Sequence, residues 1–120
     1  MATFIEPAIR PVCDSLNSIP GVATLWSCQG HPFRPSHPYV VFVGPEPVAL
    51  AVHRLLGAGD GAGALRYPWW LNANFRENGD LQWCLEPNYR FSRWRFLPLA
   101  RRAVDDELLR LAALIRTLLA

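Results

Sequence analysis

Ser27-Cys28-Gln29-Gly30-His31 gathers a hydroxyl, a thiol, a glycine and an imidazole within five residues. A thiolate is a nucleophile and a soft metal ligand. An imidazole exchanges protons near neutral pH or ligates metal. Glycine permits a tight turn and close approach of backbone to a ligand. Four chemistries fit this set. Cys28 and His31 supply two zinc ligands if His37 and Cys84 complete a tetrahedron, but structural zinc sites usually show two close ligand pairs and this chain has no second one. No metal is therefore expected. A Cys28–His31 dyad would make a nucleophile, but no third member stands out along the sequence. A purely structural reading has Cys28 ending a strand, Gly30 making the turn and His31 as a polar loop residue. The reading preferred is a ligand loop, in which exposed N–H groups, the Ser27 hydroxyl and His31 hold an anion or the polar edge of a nucleotide.

Auxiliary groups for such a ligand are Arg34 and His37 in the same loop, and Arg93 and Arg95 further on. All twelve basic residues are Arg, against ten acidic ones, for a net charge of +2. Abundant Ala, Gly, Pro and Arg fit a GC-rich coding sequence, yet Arg is also the better side chain for bidentate phosphate or carboxylate recognition. Tyr89-Arg90-Phe91-Ser92-Arg93-Trp94-Arg95-Phe96 interleaves cations with aromatic faces, as phosphates and stacked bases require. An edge segment with aromatics inward and Arg outward would read the same. Trp69-Trp70 is a further stacking candidate, more in keeping with a core or an interface.

The elements that would position these groups follow from periodicity. Ile9, Val12, Cys13, Leu16 and Ile19 predict a helix over 7–19, beginning regularly only at Pro11 if that proline is uncomfortable inside it. Pro20-Gly21 stops it. Strands are predicted over 22–28 and 39–43, with the candidate loop between them. A second helix starts at Pro47, and the glycine run 57–63 ends it as a flexible connector. That run is no phosphate loop, because it follows a helix and lacks the terminal Lys-Ser/Thr. Leu65–Phe75 and Leu81–Leu85 read as strands joined by an Asn78-Gly79 hairpin turn. The last helix is predicted over 103–119, with Asp105, Asp106 and Glu107 in its first turn to complement the helix dipole. His53 receives no role. Trp26-Ser27-Cys28 and Trp83-Cys84 occupy comparable places in two helix-strand-strand units, a faint internal repeat.

These 120 residues suit a single domain over 1–120 with a sizeable core, and 51% hydrophobic residues argue against disorder. No apolar run is long enough to span a membrane, and the N-terminus lacks the pattern of a secretory signal. Three widely spaced cysteines are a poor disulfide framework. A cytoplasmic protein with reduced thiols and no membrane partner is expected.

The stretch from Thr24 through the second helix resembles the tRNA-wybutosine-synthesising family, which methylates a tricyclic guanine precursor. In that family a Thr/Ser-rich strand ends in Ser-Cys-Ser-Gly-Arg. Ser27, Cys28 and Gly30 match, and His31 stands in place of the Arg. Residues 38–43 correspond to the family's following strand, Pro47–Leu56 to its helix, and the Leu-rich C-terminal helix is also similar. The resemblance implies a site at this strand end and, as one alternative, an RNA-modifying enzyme that binds a methyl donor. The fold expected is α/β (α+β), a four-stranded, mainly antiparallel sheet covered by helices in the order α-β-β-α-β-β-α. The function expected is binding of a nucleotide-like or other anionic small molecule, or of RNA, at Ser27–His31. Whether a reaction follows is open, no cofactor is indicated, and a homo-oligomer is compatible with the sequence. A protein-interaction or sequestering module is the remaining alternative.

Overall fold

The structure, a computed structural model, describes residues 4–31, 37–61, 65–88 and 98–119, the side chains of 58–61 and 98–100 excepted. Its elements are α1 (Arg10–Asn17), β1 (Ala23–Cys28), β2 (Tyr39–Val43), α2 (Glu46–Gly61), β3 (Trp69–Phe75), β4 (Leu81–Pro87) and α3 (Pro98–Arg116), closed by a short 3₁₀ turn. This is the expected order. The four strands form one antiparallel sheet in the spatial order β1-β2-β4-β3. Two helix-hairpin units thus meet at a central β2–β4 pairing, and α3 follows them.

All three helices contribute to one core, which meets the sheet through Val40 and Phe42 of β2, Trp83 and Leu85 of β4, and Trp69 of β3. Side chains alternate faces along a strand, and directly paired residues share a face. The register pairs Thr24 with Phe42 and Ser27 with Val40, so these look toward the helices. Trp26 pairs with Val41 and Cys28 with Tyr39, so these occupy the opposite face, with Cys84 and Asn72 in the Val41 row. An irregularity between Thr24 and Trp26 shifts the alternation within β1. Trp26 and Trp83 therefore point to opposite faces, and the faint repeat survives in topology but not in these two side chains.

Several boundaries differ from expectation. α1 begins at Arg10, because Pro11 falls within its first two positions, where the missing N–H has no partner to lose. α2 runs through Gly57 to Gly61 instead of ending in a connector. A glycine costs about 1 kcal/mol in a helix interior, and an established helix propagates past such a penalty. β3 starts at Trp69 rather than Leu65. α3 starts at Pro98, a residue well suited to a first helical position. Asp105, Asp106 and Glu107 consequently do not form its first turn, which has no acidic residue. Glu107 instead is buried, and its carboxylate accepts hydrogen bonds from the Arg66 and Tyr67 backbone N–H groups at 2.9 and 2.8 Å and from the Trp69 indole N–H at 3.1 Å. It fixes the chain where it enters β3. Trp69 is thereby committed to the core, and Trp70 is the exposed member of the pair.

The β3–β4 hairpin is as expected, with positive φ confined to Gly79 (+89°). The Gly79 N–H donates to the Arg76 carbonyl at 2.9 Å and the Arg76 N–H to the Asp80 carbonyl at 2.8 Å. This is a type I turn followed by a left-handed glycine.

Candidate functional site

The tight reversal at Pro20-Gly21, with Gly21 at φ +83°, lays α1 back along β1. The start of the helix segment therefore comes alongside the end of the strand. This brings Glu6, just before α1, to the Cys28–His31 loop. Glu6 Oε2 lies 3.0 Å from His31 Nε2, and Glu6 Oε1 accepts the Gln29 backbone N–H at 3.0 Å. The Gln29 side-chain carbonyl returns a bond, accepting the Ala8 N–H at 2.9 Å. The Gly30 N–H is aimed at Cys28 Sγ, 3.4 Å away. One ligand-type atom from each of Glu6, Cys28 and His31 lies within 4.8 Å of the others.

Gly30 has φ +84° and is buried, so the turn depends on the absence of a side chain. Its carbonyl accepts a hydrogen bond from the Arg101 guanidinium of α3, which is also paired with Asp105 at 2.6 Å. Segments before α1, after β1 and early in α3 thus converge on this loop.

The sequence-derived residues are distributed as follows. Cys28, Gly30 and His31 are together. Ser27 is not with them: its hydroxyl faces the helices and bonds the Cys13 thiol, whose acidity is weakened chiefly by burial and partly restored by that bond. His37 pairs separately with Glu86, Nε2 to Oε1 at 2.9 Å, beside the ring of Tyr39. Asn72 Nδ2 donates to the other Glu86 oxygen. Neither His37 nor Cys84 joins the Glu6 cluster, so the zinc tetrahedron assembled from them on paper does not form. Arg34, Arg93 and Arg95 lie outside the described residues. Glu6 is the member that sequence reasoning missed. The signal for it was geometric: eight helical residues rise about 12 Å and six strand residues about 20 Å, so with α1 laid back along β1 the four residues 6–9 before the helix cover the remaining distance to the strand's end.

Among the described residues, His31, His37 and Arg101 are each paired with a carboxylate. Tyr39, the register partner of Cys28, has its hydroxyl pKa raised chiefly by burial, with smaller contributions from the neighbouring Cys28, Cys84 and Glu6 side chains. Burial, with help from the Glu86 carboxylate, pushes the Cys84 thiol up to about 12.

Two clefts lie away from the cluster. The larger, about 500 Å³ and open, is lined by Trp26, Phe75, Arg76, Glu77, Asn78 and Gln82. Gln82 Oε1 is buried and has no hydrogen-bond partner among the described residues. The smaller, about 220 Å³, lies between α2 and β3 and includes His53, Leu71 and Trp83. No helix among the described residues is long and apolar enough to cross a membrane. No family model, curated protein or solved structure matches this chain.

Proposed function

We propose that this protein is a small ligand-binding domain for a nucleotide-like anionic ligand lying along β1, with its anionic end at Cys28–His31. The observation that supports this reading is the convergence of Glu6 from before α1 and Arg101 from α3 on that loop, which sets a carboxylate beside its thiol and imidazole. Plain loop structure does not require such a set. Trp26 supports the nucleotide-like part. It precedes Cys28 by two residues on the same sheet face, a rise of about 7 Å, and the residue is 45% exposed. Beside it the larger cleft offers the Phe75 ring, the Arg76 cation and the unpartnered Gln82 carbonyl, which suits an exocyclic amino group of a base. A base against Trp26 leaves its phosphate within reach of the strand end.

Calorimetry tests this, with nucleoside mono- and triphosphates, a short RNA, inorganic phosphate and S-adenosylmethionine (the methyl-donor arm), each against chelator-treated and zinc-supplemented protein. A nucleotide is expected to bind, and Trp26→Ala to weaken it roughly 10-fold, in line with base–aromatic stacking of about 1–3 kcal/mol. Absence of binding by every nucleotide in both protein states overturns the reading. Preference for S-adenosylmethionine or RNA over mononucleotides replaces it with the RNA-modifying alternative.

A further inference from the structure

An anionic ligand at the end of β1 would meet Glu6 and a set of basic groups already paired with carboxylates. A cation held by Glu6 would give such a ligand a positive partner. We infer that Glu6, Cys28 and His31 form a three-ligand site for a zinc-class divalent cation, with its remaining position open to the anion. The inference deepens the ligand-binding proposal and rests on it for the identity of the fourth ligand.

The donor set is one sulfur, one imidazole nitrogen and one carboxylate oxygen. This is a borderline-soft combination that suits zinc and poorly suits magnesium or calcium, which take oxygen donors. The spacing fits. Tetrahedral zinc with bonds of about 2.0–2.3 Å places its ligand atoms about 3.3–3.8 Å apart. Here the three atoms already lie within 4.8 Å of one another, and the imidazole–carboxylate pair at 3.0 Å. Small side-chain rotations close the set around an ion. The surroundings are those of a built site. The Gly30 N–H is directed at Cys28 Sγ and helps fix its position. The Gln29 N–H on Glu6 Oε1 fixes the carboxylate while leaving Oε2 directed at His31. Such outer contacts orient metal ligands. Binding displaces the Cys28 thiol proton and any proton held between His31 and Glu6, and these leave to solvent.

The spacing argument against zinc considered only residues near one another in the chain. The third donor comes from a segment whose contact with Gln29 spans 23 residues. Three protein ligands with a fourth position free is also the pattern of zinc sites that bind water or substrate, in contrast to closed structural ones.

Titration of chelator-treated protein with Co²⁺, followed by displacement with Zn²⁺, tests the site. One equivalent of Co²⁺ is expected to give a thiolate-to-cobalt charge-transfer band, which Zn²⁺ abolishes. Cys28→Ser should remove the band, Glu6→Gln should weaken Zn²⁺ at least 10-fold, and Cys84→Ser should change neither. In wild-type protein, one equivalent of Zn²⁺ should protect Cys28 from alkylation, a readout that needs no variant to fold. Absence of a one-equivalent band, a band that survives Cys28→Ser, or Cys28 alkylated equally fast with and without Zn²⁺ overturns the site. Nucleotide that binds chelated protein with an affinity unmoved by Zn²⁺ removes the cation and leaves the ligand-binding reading standing. Zinc bound as described with no nucleotide binding does the reverse.

Discussion

Replacing Glu107 tests whether a buried carboxylate organises the entry to β3. Its side chain is 2% exposed and serves three donors: the N–H groups of Arg66 and Tyr67 and the indole N–H of Trp69. Glu107→Ala leaves all three without an acceptor. A buried donor left unsatisfied costs about 1–3 kcal/mol. The indole is buried and counts in full, whereas the two backbone groups are partly buried, so water offsets about half their loss. The expected destabilisation is about 2–6 kcal/mol, a large share of the roughly 5–15 kcal/mol of a whole domain. Glu107→Gln keeps one oxygen, which can serve Tyr67 and Trp69, but sets an amide N–H₂ against the Arg66 N–H. About 1–2 kcal/mol is expected. Urea unfolding of the three proteins should show this order with an unchanged m-value. In a Trp69→Phe background, which lacks the indole donor, the further loss on Glu107→Ala should shrink by about 1–2 kcal/mol. A Glu107→Ala loss below 1 kcal/mol, or no coupling to Trp69, would refute the assignment.

Two further outcomes follow from the site. Gly30→Val should destabilise the protein by about 1–3 kcal/mol, because a β-branched residue resists φ near +84°, and it should weaken ligand retention. Gln29→Ala should do less, losing the one bond to Ala8, and equal effects of the two in thermal melts and binding would make Gly30 an ordinary loop residue. Cys84, with its thiol pKa raised to about 12 from an ordinary 9.0, should alkylate at pH 8 roughly 100- to 1,000-fold more slowly than a free thiol, since only the thiolate reacts. Peptide mapping that finds Cys84 modified at a free thiol's rate would contradict its burial.

Legibility in the sequence followed the range of the forces involved. The Asn78-Gly79 turn, the apolar stripes of the helices and the strand at 39–43 are local patterns, and each is where its pattern put it. The end of α2 was misread because glycine weakens a helix by an amount that neighbouring turns absorb. The start of α3 was misread because three acidic residues resemble a helix N-terminus, while Pro98, the actual first-turn signal, sat five residues earlier. Glu107 shows the deeper reason: its acid serves donors roughly forty residues away in sequence, and no local rule contains that contact. The candidate site divides in the same way. Cys28, Gly30 and His31 stand out within one pentapeptide. Ser27 was included by adjacency, although strand alternation turns its side chain to the other face, and Glu6 was missed because only the folding of α1 against β1 makes it a neighbour.

The position of α3 explains how an edge strand can carry such a cluster. Among the described residues β1 lies at the sheet's rim and pairs only with β2, so the loop that follows it needs support from elsewhere. Arg101 reaches from α3 to the Gly30 carbonyl, and Glu107, less than two turns further along, holds the entry to β3 at the opposite rim. One helix thus fixes points near both edges, from the side of the sheet that also carries the core. The Glu6–Gln29–Ala8 bonds then close the remaining freedom of the loop from the N-terminal side. Cys28 lies on the sheet face opposite that core, and the cluster is partly buried on a rigid support. The entry to β3 and the loop after β1 consequently draw on different residues of the same helix: Glu107 for the first, Arg101 for the second.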